Sequence, residues 1–176
     1  MASFRRSIVV SILFTVFGGP GFLFVYVPYL ITRFHIPAGE PMWQRAVAAA
    51  MILAGIIPLL ASALRFIYAG HGTLVPAVPT ERLVVSGLYR HVRNPMYAGG
   101  LLALAGEALL FSSRHLVYEL IFFWLATYFF ILVYEEPTLA RRYPEDYARY
   151  KRNVPRWIPR LSPWDANLSD SVSRPR

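Results

Sequence analysis

The sequence predicts an all-α integral membrane protein with about four transmembrane helices. Three observations carry that reading: a large excess of apolar over charged residues, four apolar stretches of helical length, and basic residues that alternate between the loops. Of 176 residues, 56% are hydrophobic and 16% charged, with a mean hydropathy of +0.41. A soluble domain carries about 25% charged residues. Lys and Arg outnumber the acids 18 to 10, a net charge of +8. In so apolar a chain this excess fits cytosolic loops facing anionic lipid better than nucleic acid. The absence of cysteine excludes disulfides, a thiolate nucleophile and a cysteine–metal site, and no metal is expected.

A helix crosses a bilayer core with about 20 apolar residues. The first span is residues 7–32, interrupted by Gly18-Gly19-Pro20-Gly21. Arg5 and Arg6 ahead of an apolar run also suit a signal peptide. No small-residue cleavage pattern follows, however, and the run resumes as FLFVYVPYLI, so a kinked membrane helix is expected. The second span is 46–68, with Pro58 as its kink. The third, 95–111, is short, and the fourth, 116–134, is dense in aromatic residues. Arg5, Arg6, Arg65, Arg82, Arg90, Arg93 and the basic C-terminal region then share one side, leaving Arg33, Arg45 and Arg114 on the other. The positive-inside rule places both termini, and any site on their side, at the cytosolic face. Residues 1–161 read as a single membrane domain, and the polar tail 162–176 as disordered.

The stretch GLYRHVRNPMYAGG, residues 87–100, sets Arg90, His91 and Arg93 at the mouth of the third span. Asn94 before Pro95 signals a helix start, with Asn at the N-cap and Pro in the first turn. A helix start offers free N–H groups and a positive dipole end to an anion, and Arg93 adds a fork of donors. The same arginines could equally serve only the positive-inside rule. Glu135-Glu136 closes the fourth span, with Pro137 expected to end the helix there. Acids at a helix C-terminus oppose the dipole, so this placement suggests a task. On the expected topology these acids share a membrane face with Arg93, and one site could hold a zwitterion. An amino-acid cofactor would put its carboxylate at Arg93 and its ammonium or hydroxyls at a glutamate.

Leu139, Tyr143, Tyr147, Tyr150 and Val154 recur at helical spacing. They are expected to form a C-terminal amphipathic helix lying on the membrane interface, with Trp157 as an anchor. Gly99, Ala103 and Gly106 make a small-residue face for close helix packing. Glu107, an acid within the third span, is a candidate substrate contact. Gly70-His71-Gly72-Thr73 reads as a plain loop.

Taken together, GLYRHVRNPMYAG, EEPTL and YARYKRNVPRWIPR resemble the isoprenylcysteine carboxyl methyltransferase family, which groups with phospholipid methyltransferases. The similarity covers residues 70–161. It implies S-adenosyl-L-methionine as cofactor, bound near the cytosolic face by Arg93, Asn94, Pro95, Tyr97, Glu135 and Glu136, with Gly87 and Tyr89 matching the approach to the motif. Arg93 and Glu136 are the implied catalytic pair. The acceptor would be a lipophilic molecule entering from the bilayer between the third and fourth spans. Asn94 stands where the family more usually has His. An amide donates a hydrogen bond but cannot titrate, so no proton shuttle is expected there. The same C-terminal pattern also resembles membrane sterol and enone reductases that use NADPH. Those are longer chains with more spans. A non-catalytic membrane scaffold is the third reading.

Overall fold

The computed structural model describes residue 19, residues 21–70 and residues 83–165. The N-terminal part of the expected first span, residues 71–73 of the expected loop and residues 166–176 lie outside the described residues. Among those described, the chain is all-helical, with no strand. A π-turn, Phe22–Tyr26, leads into α1 (Val27–Thr32); α2 follows at Met42–Gly70, α3 at Pro95–Leu110 and α4 at Arg114–Phe130. A second π-turn, Ile131–Glu135, joins α4 to α5 (Glu136–Arg142), and α6 is Pro144–Asn153.

Two stretches, Met42–Ser62 and Arg114–Arg142, are long and apolar enough to cross a membrane; Phe22–Thr32 and Pro95–Leu110 are shorter. Both long stretches leave bulky apolar side chains outside the protein, among them Leu53, Ile57 and Leu60 on α2 and Phe122 and Phe129 on α4. So continuous an apolar exterior needs an apolar surrounding, as expected for a membrane-associated protein.

The expectation that Pro137 ends the helix is corrected. Helical structure runs through it, because the π-turn widens the backbone just ahead of the proline. Glu136 N–H reaches back five residues to Ile131 O, and Pro137 then falls in the first turn of α5, where its missing N–H costs nothing. The same device precedes Pro28: Val27 N–H bonds Phe22 O, and the proline enters α1 in its first turn. Glu135-Glu136 therefore does not sit at a helix C-terminus. Glu136 lies inside a helical run that continues from α4 to Arg142.

Helices α2 and α3 meet along a seam of small residues. A Cβ on Gly55 would lie 2.5 Å from Ala103 N and Gly99 O, and one on Gly99 2.6 Å from Gly55 O. A Cβ on Gly106 would meet Ile52 Cγ1 at 2.8 Å. The small face expected at Gly99, Ala103 and Gly106 is thus the contact with α2. At one end of this pair Gln44 Nε2 bonds Leu109 O (3.1 Å) and Ser112 Oγ (2.9 Å). At the other, Gly87 adopts a left-handed φ of +58° with the Arg65 side chain against it.

The expectation that the α6 stripe faces lipid is also corrected. The stripe of α6 points into the protein. Tyr147, Tyr150 and Val154 are buried with Trp164, flanked by Leu83, Val85, Leu139 and Tyr143. Trp164 itself is buried, so the packed chain continues to Asp165, four residues past the expected boundary at 161.

Candidate active site

The start of α3, the second π-turn and the C-terminal segment converge at one end of the bundle. Pro95 opens α3 with Asn94 at its N-cap position (φ −121°, ψ 55°), and no side chain caps the helix. The Asn94 amide points elsewhere, donating to Arg156 O at 3.3 Å. The first-turn N–H groups of α3 therefore keep their donor capacity.

Residues 154–165 fold back across this end as a strap. Arg93 N–H donates to Pro155 O (2.8 Å), Arg160 N–H to His91 O (3.0 Å) and Trp164 N–H to Arg90 O (2.9 Å). Arg90 Nε donates to Trp164 O at 2.7 Å and Nη2 approaches Asp165 at 3.4 Å, while His91 Nδ1 meets Arg160 O at 2.8 Å. Arg90 and His91 thus hold the strap instead of facing lipid headgroups. Tyr150 OH donates to Tyr89 O at 2.7 Å and ties α6 to the same loop.

Glu136 is the hub beneath the strap. Arg93 Nη1 donates to its Oε1 at 2.8 Å. Arg156 makes a two-pronged contact, Nε to Oε1 at 2.9 Å and Nη2 to Oε2 at 3.0 Å. Lys151 Nζ lies 3.2 Å from Oε2. The Arg93 and Glu136 side chains are only 10% and 9% exposed. One buried carboxylate thus holds three cations, leaving an excess of positive charge. The bond to Glu136 holds Arg156 above its ordinary pKa. Arg93 Nη1 also reaches Tyr147 OH at 3.3 Å, and burial, with the Glu136 charge second, raises the Tyr147 hydroxyl pKa. Arg93 Nε is buried with no hydrogen-bond partner among the described residues.

Glu135 is surrounded differently. Its Oε2 accepts from Tyr97 OH at 3.1 Å, and no cation pairs with it among the described residues. Tyr89 is also near: burial and the Glu135 charge both push its hydroxyl pKa up.

Of the residues singled out from sequence, Tyr89, Arg93, Asn94, Pro95, Tyr97, Glu135 and Glu136 gather at this end. Gly87 is explained by its left-handed turn against Arg65. Glu107 stays apart. It lies twelve residues beyond Pro95, about 18 Å along α3, buried and with Oε2 unpartnered among the described residues. Sequence reasoning did not single out Lys151 and Arg156 as site residues. The available signal was the unusual acid pair itself, since a buried carboxylate needs cations from somewhere.

Comparison with curated proteins and with solved structures gives no match. Residues 43–146, more than half of the chain, match the family described as phospholipid methyltransferase. The match takes in Arg93 to Tyr97 and the Glu135-Glu136 pair, begins upstream of the resemblance seen in the motifs and stops short of Lys151. On that match the chain belongs to the phospholipid methyltransferase family.

Proposed function

We propose that this protein transfers a methyl group from S-adenosyl-L-methionine to a lipophilic acceptor dissolved in the membrane, at the end of the bundle where α3 begins. Four spans with both termini inside would put that end at the cytosolic face, which the arginine distribution favours. The observation that carries the reading is the contrast inside the acid pair: Glu136 is saturated by three cations, whereas Glu135, beside the start of α3, has one tyrosine hydroxyl as its partner among the described residues.

The residues fit the cofactor. A zwitterionic amino acid needs an anion site and a cation site close together. The α3 start with Arg93 supplies the first, through free N–H groups and a buried Nε without a partner among the described residues. Glu135 supplies the second, for an ammonium or for ribose hydroxyls, with Tyr97 orienting its carboxylate. Glu136 then acts by position: it fixes Arg93, and through Arg156 it fastens the strap that excludes water. Asn94 holds the same strap by its amide and moves no proton.

When bound, S-adenosyl-L-methionine supplies an already activated methyl group, so the protein's part is placement and dryness. A carboxylate acceptor needs no base. An ammonium acceptor would lose its proton to bulk water, because Glu136 is held in its ion pairs and Glu135 is engaged by the cofactor. The family match favours a lipid amine; an isoprenylcysteine-type carboxylate is the second reading, favoured by the GLYRHVRNPMYAG and EEPTL motifs. The test is calorimetric titration of detergent-purified protein with S-adenosylhomocysteine and with NADPH. Binding of the first and not the second supports the methyltransferase. The reverse result installs a reductase, and binding of neither leaves a scaffold.

A further inference from the structure

Helix α2 carries a buried hydroxyl that the fold leaves idle. Ser62 is 1% exposed, and its Oγ has no hydrogen-bond partner among the described residues. A hydroxyl inside a helix ordinarily points to solvent or bonds the carbonyl four residues back. Thr32 and Thr127 take the second course, donating to Pro28 O and Phe123 O; Ser62 takes neither. We infer that Ser62 is a further cofactor-binding residue, whose hydroxyl donates to the carboxylate of S-adenosyl-L-methionine at the start of α3. The inference rests on the methyltransferase reading above and adds a residue from outside the GLYRHVRNPMYAG and EEPTL motifs.

The register between α2 and α3 brings Ser62 to that place. The two helices run antiparallel: Gly106 of α3 faces Ala48 and Ile52 of α2, and Gly99 faces Gly55, Pro58 and Leu59. Ala48, Ile52, Gly55 and Leu59 lie on one face of α2, and Ser62 is the next member of that series. On α3 the corresponding step leads from Gly99 back one turn to Pro95, where the helix begins. Beyond Ser62 the Arg65 side chain packs against Gly87, so this end of α2 reaches the loop that leads into α3. A serine side chain is short. The backbone contact at Gly55 and Gly99 is what holds α2 close enough for it to serve there.

The neighbouring groups identify the missing partner. The Arg93 side chain is 10% exposed, and its buried Nε has no partner among the described residues. No side chain caps α3, so its first-turn N–H groups keep their donor capacity. Ser86 Oγ, beside Gly87, is another buried hydroxyl without a partner among the described residues. Each of these groups can donate, and what they lack is an acceptor. Glu136 is already taken by Arg93, Arg156 and Lys151. A ligand carboxylate, with about four lone-pair sites, can accept from a guanidinium, a hydroxyl and backbone N–H groups together.

The test is calorimetric titration of the full chain, purified in detergent, with S-adenosylhomocysteine and with its analogue lacking the carboxylate. Ser62→Ala removes the hydroxyl with almost no change of volume. It should weaken S-adenosylhomocysteine about tenfold and leave affinity for the decarboxylated analogue at the wild-type value. The ligand-free thermal midpoint should hold or rise, because an unsatisfied buried hydroxyl has been removed. Unchanged S-adenosylhomocysteine affinity in Ser62→Ala would overturn the inference. So would an equal loss for both ligands, since the hydroxyl would then touch another part of the cofactor. A lowered ligand-free midpoint would also overturn it, by showing a hydroxyl that the fold itself uses. A wild type that ignores S-adenosylhomocysteine is a different failure, that of the methyltransferase reading itself.

Discussion

Along α3, the face toward α2 carries Gly99, Ala103 and Gly106, and the face toward α4 carries Tyr97, Leu101 and Ala105. The first face meets its partner at backbone distance, with Gly55 and Gly99 so close that neither tolerates a Cβ. The second meets α4 loosely enough to leave a groove of about 460 Å³ and ends in one tyrosine–glutamate bond. The same helix is thus tightly packed on one side and loosely packed on the other. The acid pair repeats the division over two residues: Glu136 is locked by Arg93, Arg156 and Lys151, and Glu135 is left open. On the proposed function, the rigid half in both places would fix the geometry that the open half uses.

The sharpest way to break the comparison is to exchange the treatment of the two faces. Gly55→Leu drives a side chain into the α3 backbone, where neither partner can retreat, and should abolish extraction of monodisperse protein. Ala105→Leu on the open face should leave yield and thermal midpoint near wild type. Equal damage from both would mean that the open seam is as tightly built as the closed one.

Next in size is Glu136→Gln. It leaves the buried Arg93 and the partly exposed Arg156 without their carboxylate, and breaking a buried pair such as Arg93–Glu136 costs about 3–5 kcal/mol. Thermal unfolding in detergent should show a large drop, whereas Glu135→Gln should not lower the midpoint. Smallest is Lys151→Ala. The lysine side chain is 52% exposed, and a solvent-screened pair contributes about 0–1 kcal/mol, so the midpoint should barely move.

Much of this was readable from the residues, for identifiable reasons. Asn94-Pro95 marks a helix start because both residues have strong local preferences, and the Gly99, Ala103 and Gly106 face follows from spacing alone. Two expectations failed where local signals are ambiguous. Pro137 reads as a stop, but a proline is equally at home in a first turn, and only the π-turn at Ile131–Glu135 reveals which applies. The stripe at Tyr147, Tyr150 and Val154 says that something apolar covers it, not whether that is lipid or protein; Trp164, in a polar tail, turned out to be part of the cover. The cations on Glu136 were least legible. Arg156 lies 20 residues downstream, and only the folding back of the strap brings it home.

On the proposed function Glu135, and not its neighbour, offers its carboxylate to the cofactor. Calorimetric titration of S-adenosylhomocysteine into wild type and Glu135→Gln, with the thermal midpoint recorded for each, tests it most directly. A hydrogen bond to a charged group lost there is worth about 1.5–3 kcal/mol, roughly ten- to a hundredfold in affinity. The account predicts that loss in Glu135→Gln at an undiminished thermal midpoint. Wild-type affinity in folded Glu135→Gln would contradict it.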